Sequence, residues 1–177
     1  GHAISEPLVE VRVFDGVKDF WMKKSECGFA YRESIFKHRQ LTVLAARFLF
    51  TNGDREELQK VSREIIALRE HKYKPGLRCP GSFFKNVLVK DVSSESLALV
   101  DRSKIIEGKI PAGYLLEGVG AKGFRFGHLS IADFHGNLLI NDGGATYTEV
   151  RELANELKKR VREKFGIELE EEVRYIE

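Results

Sequence analysis

The chain has 177 residues, of which 42% are hydrophobic and 32% are charged, and its formal net charge is +2. These proportions are ordinary for a soluble globular protein, and the length is sufficient for a hydrophobic core. A charge this small, with basic residues interleaved among acidic ones, argues against nucleic acid as a partner. The sequence also lacks a run of about 18 apolar residues, so it predicts no membrane partner.

The cysteines and histidines exclude two further classes of protein. Two cysteines, Cys27 and Cys79, are too few for a disulfide scaffold in a chain of this length. The five histidines show no metal-ligand spacing, so the sequence predicts no metal site. With neither a signal peptide nor an initiator methionine, the sequence predicts a cytoplasmic chain that begins partway into a longer protein.

The first part of the chain is dominated by strand patterns. Residues alternate between apolar and polar from Val9 to Val13, and Asp15-Gly16 favours a turn into a returning strand over Val17 to Met22. One helical turn is expected at Ser25 to Phe29. The long apolar run from Leu41 to Thr51 predicts a mostly buried strand.

A helix should follow this run. Asp54 and Glu57 form a capping pair at its start, and Pro75-Gly76 cannot continue it. Apolar residues at spacings of three and four form one face of this helix: Leu58, Val61, Ile65 and Leu68.

Short elements and many glycines come next. Ser82 to Leu88 is expected to be a strand, Asp91 to Lys109 a polar loop, and Pro111 to Val119 a short helix. Further strands are predicted at Phe124 to Ile131 and Leu138 to Asn141.

The strongest helix signal lies near the end of the chain. Thr146 and Glu149 form a capping box, and Gly166 ends the helix. A final strand is expected over Ile167 to Ile176. The predicted buried stripe of this helix consists of Val150, Leu153, Leu157, Val161 and Phe165.

These elements predict an α+β protein. Residues 1–52 would be a β-rich unit, residues 53–77 a connecting helix and linker, and residues 78–177 an α+β domain.

Three short segments carry the side chains with potential chemistry. The first runs from Tyr31 through Arg32 to Lys37, the second is Gly81-Ser82-Phe83-Phe84-Lys85-Asn86, and the third is Glu171-Glu172-Val173-Arg174. Taken singly, each residue has an ordinary explanation: a structural serine, an arginine in a surface salt bridge and a solvated acidic edge. A hydrolase nucleophile is disfavoured because no Gly-x-Ser-x-Gly elbow surrounds Ser82.

Together, in this order, the segments resemble the C-terminal part of the UDP-N-acetylenolpyruvoylglucosamine reductase family, and the resemblance runs from about Glu6 to Ile176. It implies a β-rich remnant of a flavin-binding domain over residues 1–52 and a C-terminal substrate-binding domain over residues 78–177. It also implies FAD as cofactor, NADPH as hydride donor, and an N-terminal flavin-binding region that this chain lacks.

The resemblance assigns three catalytic residues. Ser82 would be the proton donor, and Arg32 would bind the substrate carboxylate with its planar fork of donors. Glu172 would hold that carboxylate or act in the proton relay. The chain departs from the common family pattern at Glu171 and Val87, where many members have proline.

The resemblance also assigns substrate- or cofactor-binding positions: Tyr31, Lys72, Asn86 and Arg125. Lys72 and Asn86 would reach the substrate diphosphate or the nicotinamide cofactor, although Lys74 is a close alternative to Lys72. Arg125 belongs to a Lys-Gly-x-Arg-x-Gly turn at the mouth of the site.

Two functions remain open on the sequence alone. In the first, the chain is part of an active reductase that converts UDP-N-acetylglucosamine enolpyruvate to UDP-N-acetylmuramate for peptidoglycan. In the second, it is a flavin-free fragment that only binds a UDP-sugar, or an inactive remnant.

Overall fold

A computed structural model describes residues 3–73 and 76–176, with the side chain of Lys72 outside the description. The chain divides into two compact units, Gly1–Lys72 and Tyr73–Glu177. Helices and strands alternate irregularly in sequence, so the predicted α+β class is confirmed.

The first unit is built on a three-stranded antiparallel sheet in the order β2-β1-β3. The Asp15 carboxylate accepts hydrogen bonds from the backbone N–H groups of Val17 and Lys18, both at 2.9 Å, and closes the predicted hairpin. The returning strand starts two residues later than predicted. The strands are β1 (Leu8–Phe14), β2 (Asp19–Lys23) and β3 (Thr42–Phe48).

The core of this unit is small and centres on β1. Val11, Val13, Met22 and Cys27 are buried there. The prediction that β3 is mostly buried is wrong, because β3 lies at the edge of the sheet with both of its faces exposed. The apolar residues of β3 therefore lie on faces that no other described part of the chain covers.

Helix α1 spans Arg55–Lys72. Asp54 Oδ1 accepts a hydrogen bond from Glu57 N at 2.8 Å, which confirms the predicted start. The apolar stripe is exposed along its length, from 44% at Val61 to 69% at Leu68. Its periodicity predicts a helix correctly but does not bring this face into a core of the described residues.

The second unit packs around helix α4 (Tyr147–Phe165). The predicted capping box of Thr146 and Glu149 is present, and Gly166 ends the helix with φ 64°. The predicted stripe faces the core, with Val150 partly buried and four residues buried: Leu153, Leu157, Val161 and Phe165.

A small antiparallel sheet, in the order β6-β7-β8, lies in the same unit. The strand predicted from Phe124 to Ile131 is two strands, because the chain turns at Gly127 with φ 55°. A Cβ atom at Gly127 would displace the Glu149 carboxylate, and the positive φ disfavours other residues, so glycine suits this turn. The strands are β6 (Arg125–Phe126), β7 (Leu129–Ile131) and β8 (Leu139–Asn141).

The prediction of a loop from Asp91 to Lys109 is wrong in part. The short helix α2 (Ser94–Ala98) forms there because the Ser93 side chain accepts a hydrogen bond from Ser96 N at 3.2 Å. Two short strands, β4 (Val87–Leu88) and β5 (Lys109–Ile110), pair across this segment. Helix α3 (Ala112–Gly118) matches the predicted short helix.

Candidate functional site

The segment carrying Ser82 lies between two other parts of the chain. Ser82 forms an antiparallel bridge with Leu138 on one side, and Phe84 forms an antiparallel bridge with Glu171 on the other. The sequence predicts a strand over Ile167 to Ile176, but this segment is irregular and forms one bridge, at Glu171. Phe83 and Phe84 are both buried, so the segment does not alternate as an ideal strand does.

Glu172, another of the predicted catalytic residues, lies directly beside this segment. Glu172 N donates a hydrogen bond to the carbonyl oxygen of Phe83 at 2.8 Å. Lys85 N donates to the carbonyl oxygen of Glu170 at 2.8 Å and continues the pairing. The structure thus brings the main chain of Glu172 next to that of Phe83, the neighbour of Ser82, although the two segments are far apart in sequence.

The carboxylates beside Glu172 have cationic partners of their own. Glu170 forms an ion pair with Lys85, whose side chain is largely buried. Glu171 pairs with Lys158 of α4 at 3.1 Å. Their charges are therefore compensated locally.

Sequence reasoning missed Asn137, whose side chain is buried. Its Oδ1 accepts a hydrogen bond from Phe84 N at 2.9 Å, and its Nδ2 donates to Phe84 O at 2.8 Å. Its carbonyl oxygen also accepts from Phe83 N at 3.0 Å. An asparagine in a loop before a strand gives no sequence signal for a partner so distant in the chain.

Asn86 has a structural contact at the start of α3. Its Oδ1 accepts a hydrogen bond from Ala112 N at 3.1 Å, where Pro111 offers no side-chain cap. The carboxamide oxygen thus substitutes for a helix cap.

Arg125 lies on the short sheet. Its Nη2 donates to Asp142 Oδ2 at 2.8 Å, and Ser130 Oγ donates to Asp142 Oδ1 at 3.2 Å. The Arg125 side chain is 70% exposed, so the ion pair leaves it accessible to solvent.

Arg32 belongs to the first unit and has an unusual backbone conformation. Its φ is 54°, the left-handed region that a residue with a side chain rarely adopts. Ala30 and Glu33 close the turn around it through two backbone hydrogen bonds, of 3.1 and 3.2 Å. Its guanidinium carbon lies 5.3 Å from the ring centroid of Tyr31, and Lys37 Nζ donates to its carbonyl oxygen. Backbone strain of this kind is typical of functional positions.

The predicted site residues are thus divided between the two units. Ser82, Asn86, Arg125 and Glu172 belong to Tyr73–Glu177, while Arg32, Tyr31 and Lys72 belong to Gly1–Lys72. The side chain of Lys72 and the whole of its alternative, Lys74, lie outside the described residues.

Two features are absent from the described residues. Within 3–73 and 76–176, no group of three or more His, Cys, Asp or Glu side chains is arranged to hold a metal ion. In the same part of the chain, no helix is both long and apolar enough to cross a membrane.

The fold and the site define an α+β domain in which a serine-bearing segment is held between two neighbouring segments. The family model described as UDP-N-acetylenolpyruvoylglucosamine reductase, C-terminal domain, matches residues 72–176. This match covers more than half of the chain, so the chain belongs to the UDP-N-acetylenolpyruvoylglucosamine reductase family.

Individual relatives agree with this assignment. The reductase of Solibacter usitatus is 45% identical over 99% of this chain and 57% of its own length. That of Chromobacterium violaceum is 34% identical over 85% of this chain and 53% of its own length. The crystal structure of the reductase from Thermus caldophilus matches with a TM-score of 0.67 and 27% identity, over 96% of this chain and 53% of that one. The chain therefore spans about half the length of these relatives.

A flavin cofactor carries a diphosphate. The N-terminal ends of the two long helices, α1 and α4, are the positions on these helices that would favour it. A helix N-terminus binds phosphate through free N–H groups and a favourable dipole. Asp54 occupies that position on α1, and Glu149 occupies it on α4, each as a hydrogen-bonded carboxylate. A diphosphate would meet a negative charge at either place, so these two ends do not fit the group.

Proposed function

We propose that this chain is the C-terminal part of a cytoplasmic reductase that converts UDP-N-acetylglucosamine enolpyruvate to UDP-N-acetylmuramate for peptidoglycan. The proposal includes FAD as the cofactor and NADPH as the hydride donor, with flavin binding assigned to the N-terminal region of the longer relatives. The observation that carries it is the 2.8 Å hydrogen bond from Glu172 N to Phe83 O, which joins two motifs of the family beside Ser82.

The chemistry suits a hydroxyl donor at Ser82. Reduction of an enolpyruvyl double bond adds a hydride to one carbon and a proton to the neighbouring carbon. FAD, when bound, supplies the hydride. A serine hydroxyl is a weak acid, so it transfers a proton efficiently only to a strongly basic, enolate-like carbon. In this proposal Ser82 donates that proton.

Arg32 and Glu172 have separate roles in the proposal. Arg32 binds the substrate carboxylate, where negative charge grows as the hydride adds, and its planar fork matches that group. Loss of one such preorganised donor typically costs about 3 kcal/mol of transition-state stabilisation. Glu172 holds the substrate carboxylate or relays the proton.

Four other side chains would bind the substrate or a cofactor, and two of them, Lys72 and Asn86, would reach the substrate diphosphate or the nicotinamide cofactor. The exposed Arg125 offers a guanidinium that suits an anionic ligand. Tyr31 and Lys72 complete the proposed set.

The test uses the protein expressed from the complete reading frame that encodes this chain. NADPH oxidation and formation of UDP-N-acetylmuramate are measured for the wild type, Ser82→Ala and a control, Ser103→Ala, at an exposed serine of the same unit. We expect substrate-dependent turnover in the wild type and the control, and loss of turnover in Ser82→Ala.

Two results would overturn the proposal. Turnover of Ser82→Ala at the wild-type rate would remove the proton-donor assignment. A wild-type protein that binds a UDP-sugar without flavin and oxidises no NADPH would instead support the second function, a binding module.

A further inference from the structure

Asn137 substitutes for a strand next to the Ser82 segment. In a regular antiparallel pair, opposed residues exchange two N–H···O bonds through their main chains. Here the Asn137 carboxamide makes both bonds with the main chain of Phe84, at 2.9 and 2.8 Å. The Asn137 carbonyl oxygen adds a third bond, from Phe83 N at 3.0 Å.

The arrangement needs a side chain that both donates and accepts, as the neutral amide of Asn137 does. A neutral amide offers one acceptor and a donor in the same plane, which matches the C=O and N–H groups of Phe84. An ionised aspartate only accepts, so it would leave Phe84 O without its donor and would place a charge in a buried position. Alanine would leave both buried groups of Phe84 without these partners.

The loop that carries Asn137 is itself held tightly against α3. Asn137 N donates to His135 Nδ1 at 3.1 Å, and Gly136 N donates to Glu117 Oε1 at 3.4 Å. A Cβ atom at Gly136 would lie 2.9 Å from Glu117 Cγ, and one at Gly113 would lie 3.2 Å from His135 Cε1. The close approach of this loop to α3 therefore depends on Gly136 and Gly113. The tight packing holds Asn137 in place.

The same peptide units connect Asn137 to Glu172. Phe83 donates its N–H to Asn137 O and accepts from Glu172 N through its carbonyl oxygen. Ser82, adjacent to Phe83, forms its own bridge with Leu138, adjacent to Asn137. A shift at Asn137 is therefore transmitted through Phe83 to the backbones of Ser82 and Glu172, two of the three proposed catalytic residues.

We propose that Asn137 is a positioning residue that fixes the Ser82–Phe84 main chain and thereby places the Ser82 hydroxyl for proton transfer. This inference rests on the proposed function of Ser82. Misplacement of a reacting group by about 1 Å can cost about 100-fold in rate.

The first test measures the main chain and needs no enzyme activity. Amide hydrogen exchange is followed in the full chain for Asn137→Ala and for a control, Val161→Ala, which truncates the buried face of α4. We expect exchange at Phe83, Phe84 and Glu172 to rise by about tenfold or more in Asn137→Ala relative to the α4 amides. The control should raise exchange in α4 without this local excess.

A second variant distinguishes hydrogen bonding from packing. A protonated aspartic acid carries a hydroxyl donor and a carbonyl acceptor, as the amide does. Asn137→Asp should therefore regain protection at Phe84 as the pH falls and its carboxyl group is protonated. Unchanged protection at Phe84 in Asn137→Ala, or no recovery in Asn137→Asp at low pH, would overturn the structural part of the inference.

The catalytic part is tested in the protein from the complete reading frame. Asn137→Ala should slow the oxidation of reduced flavin by the substrate by about 10- to 100-fold, while reduction of flavin by NADPH keeps its rate. An equal loss of rate in both half-reactions of Asn137→Ala would contradict the positioning role of Asn137. Selective slowing of flavin oxidation in Val161→Ala would contradict it as well. If the wild type itself does not turn over the substrate, the proposed function fails, whereas normal turnover by Asn137→Ala overturns only the present inference.

Discussion

Glu149 holds His128 through both its ring and its main chain. Glu149 Oε1 lies 3.1 Å from His128 Nδ1 and accepts a hydrogen bond from His128 N at 3.3 Å. The other carboxylate oxygen accepts from Thr146 N at 2.7 Å. One side chain therefore caps α4 and fastens the turn between β6 and β7.

These bonds lower the pKa of Glu149 to about 2, chiefly through the Thr146 backbone N–H and then through His128. In the unfolded chain the Glu149 carboxyl group has its ordinary pKa of 4.5, whereas in the folded chain its pKa is about 2. The stabilisation is thus fully present above about pH 5 and is lost as the pH falls towards 2.

We predict that Glu149→Gln flattens the decline of the unfolding free energy between about pH 5 and pH 3. Urea denaturation at both pH values measures this decline. Glu163→Gln, at an exposed i,i+4 pair with Lys159, is the control and should retain the wild-type slope. A wild-type slope in Glu149→Gln would contradict the assignment.

Gly127→Ala should destabilise the second unit more than Gly120→Ala does. Both glycines have positive φ, 55° and 74°, so alanine costs about 1 kcal/mol of backbone strain at either. Space is open around Gly120, whereas a Cβ atom at Gly127 displaces the Glu149 carboxylate. Equal losses of unfolding free energy in the two variants would show that the Glu149 contact contributes nothing.

Leu157→Ala and Leu58→Ala should have very different effects, although both leucines lie in regular apolar helix stripes. Leu157 is 1% exposed, and its truncation should cost about 2–5 kcal/mol of unfolding free energy. Leu58 is 61% exposed, and its loss should change stability by less than about 0.5 kcal/mol. Circular dichroism reports both helices, and the single tryptophan, Trp21, reports the first unit. A large loss in Leu58→Ala would mean that α1 is covered.

Substitutions at Arg32 separate backbone strain from side-chain function. Arg32→Gly and Arg32→Ala both remove the guanidinium, but only glycine accepts φ 54° without strain. Arg32→Gly should therefore be more stable than Arg32→Ala by about 1 kcal/mol in urea denaturation followed by Trp21 fluorescence. Equal stabilities would indicate that the turn relaxes.

Arg32→Lys addresses the proposed role of the same residue in the reaction. Lysine keeps the charge but loses the planar fork, so kcat/KM should fall by about 100-fold. Arg39→Lys, at an exposed arginine of the same unit, should keep the wild-type value. An unchanged kcat/KM in Arg32→Lys would contradict the carboxylate-binding role.

Local capping signals in the sequence predicted the helices well. The cap at Asp54 and the capping box at Thr146 depend on residues three positions apart, so the sequence contains the whole interaction. Burial was less predictable: β3 and α1 have the apolar patterns of covered elements, but their faces are exposed in this chain. A pattern identifies the apolar face and not the surface that covers it.

The candidate site shows the same limit. Family motifs pointed to Ser82 and Glu172, and the structure joins them through Phe83. Asn137 was missed because its partner, Phe84, is 53 positions away and no local pattern marks such a pair. The predicted Phe124–Ile131 strand is split by the turn at Gly127, and the contact of this turn with Glu149, a residue outside that segment, also has no local signal.

The most direct test of the central claim is a stopped-flow comparison of the two half-reactions in wild-type protein and Ser82→Ala, each expressed from the complete reading frame. If Ser82 is the proton donor, NADPH reduces the flavin at the same rate in both proteins. Reoxidation by UDP-N-acetylglucosamine enolpyruvate should then be slower in Ser82→Ala by a factor on the order of 100 or more. Reoxidation at the wild-type rate in Ser82→Ala would contradict the account.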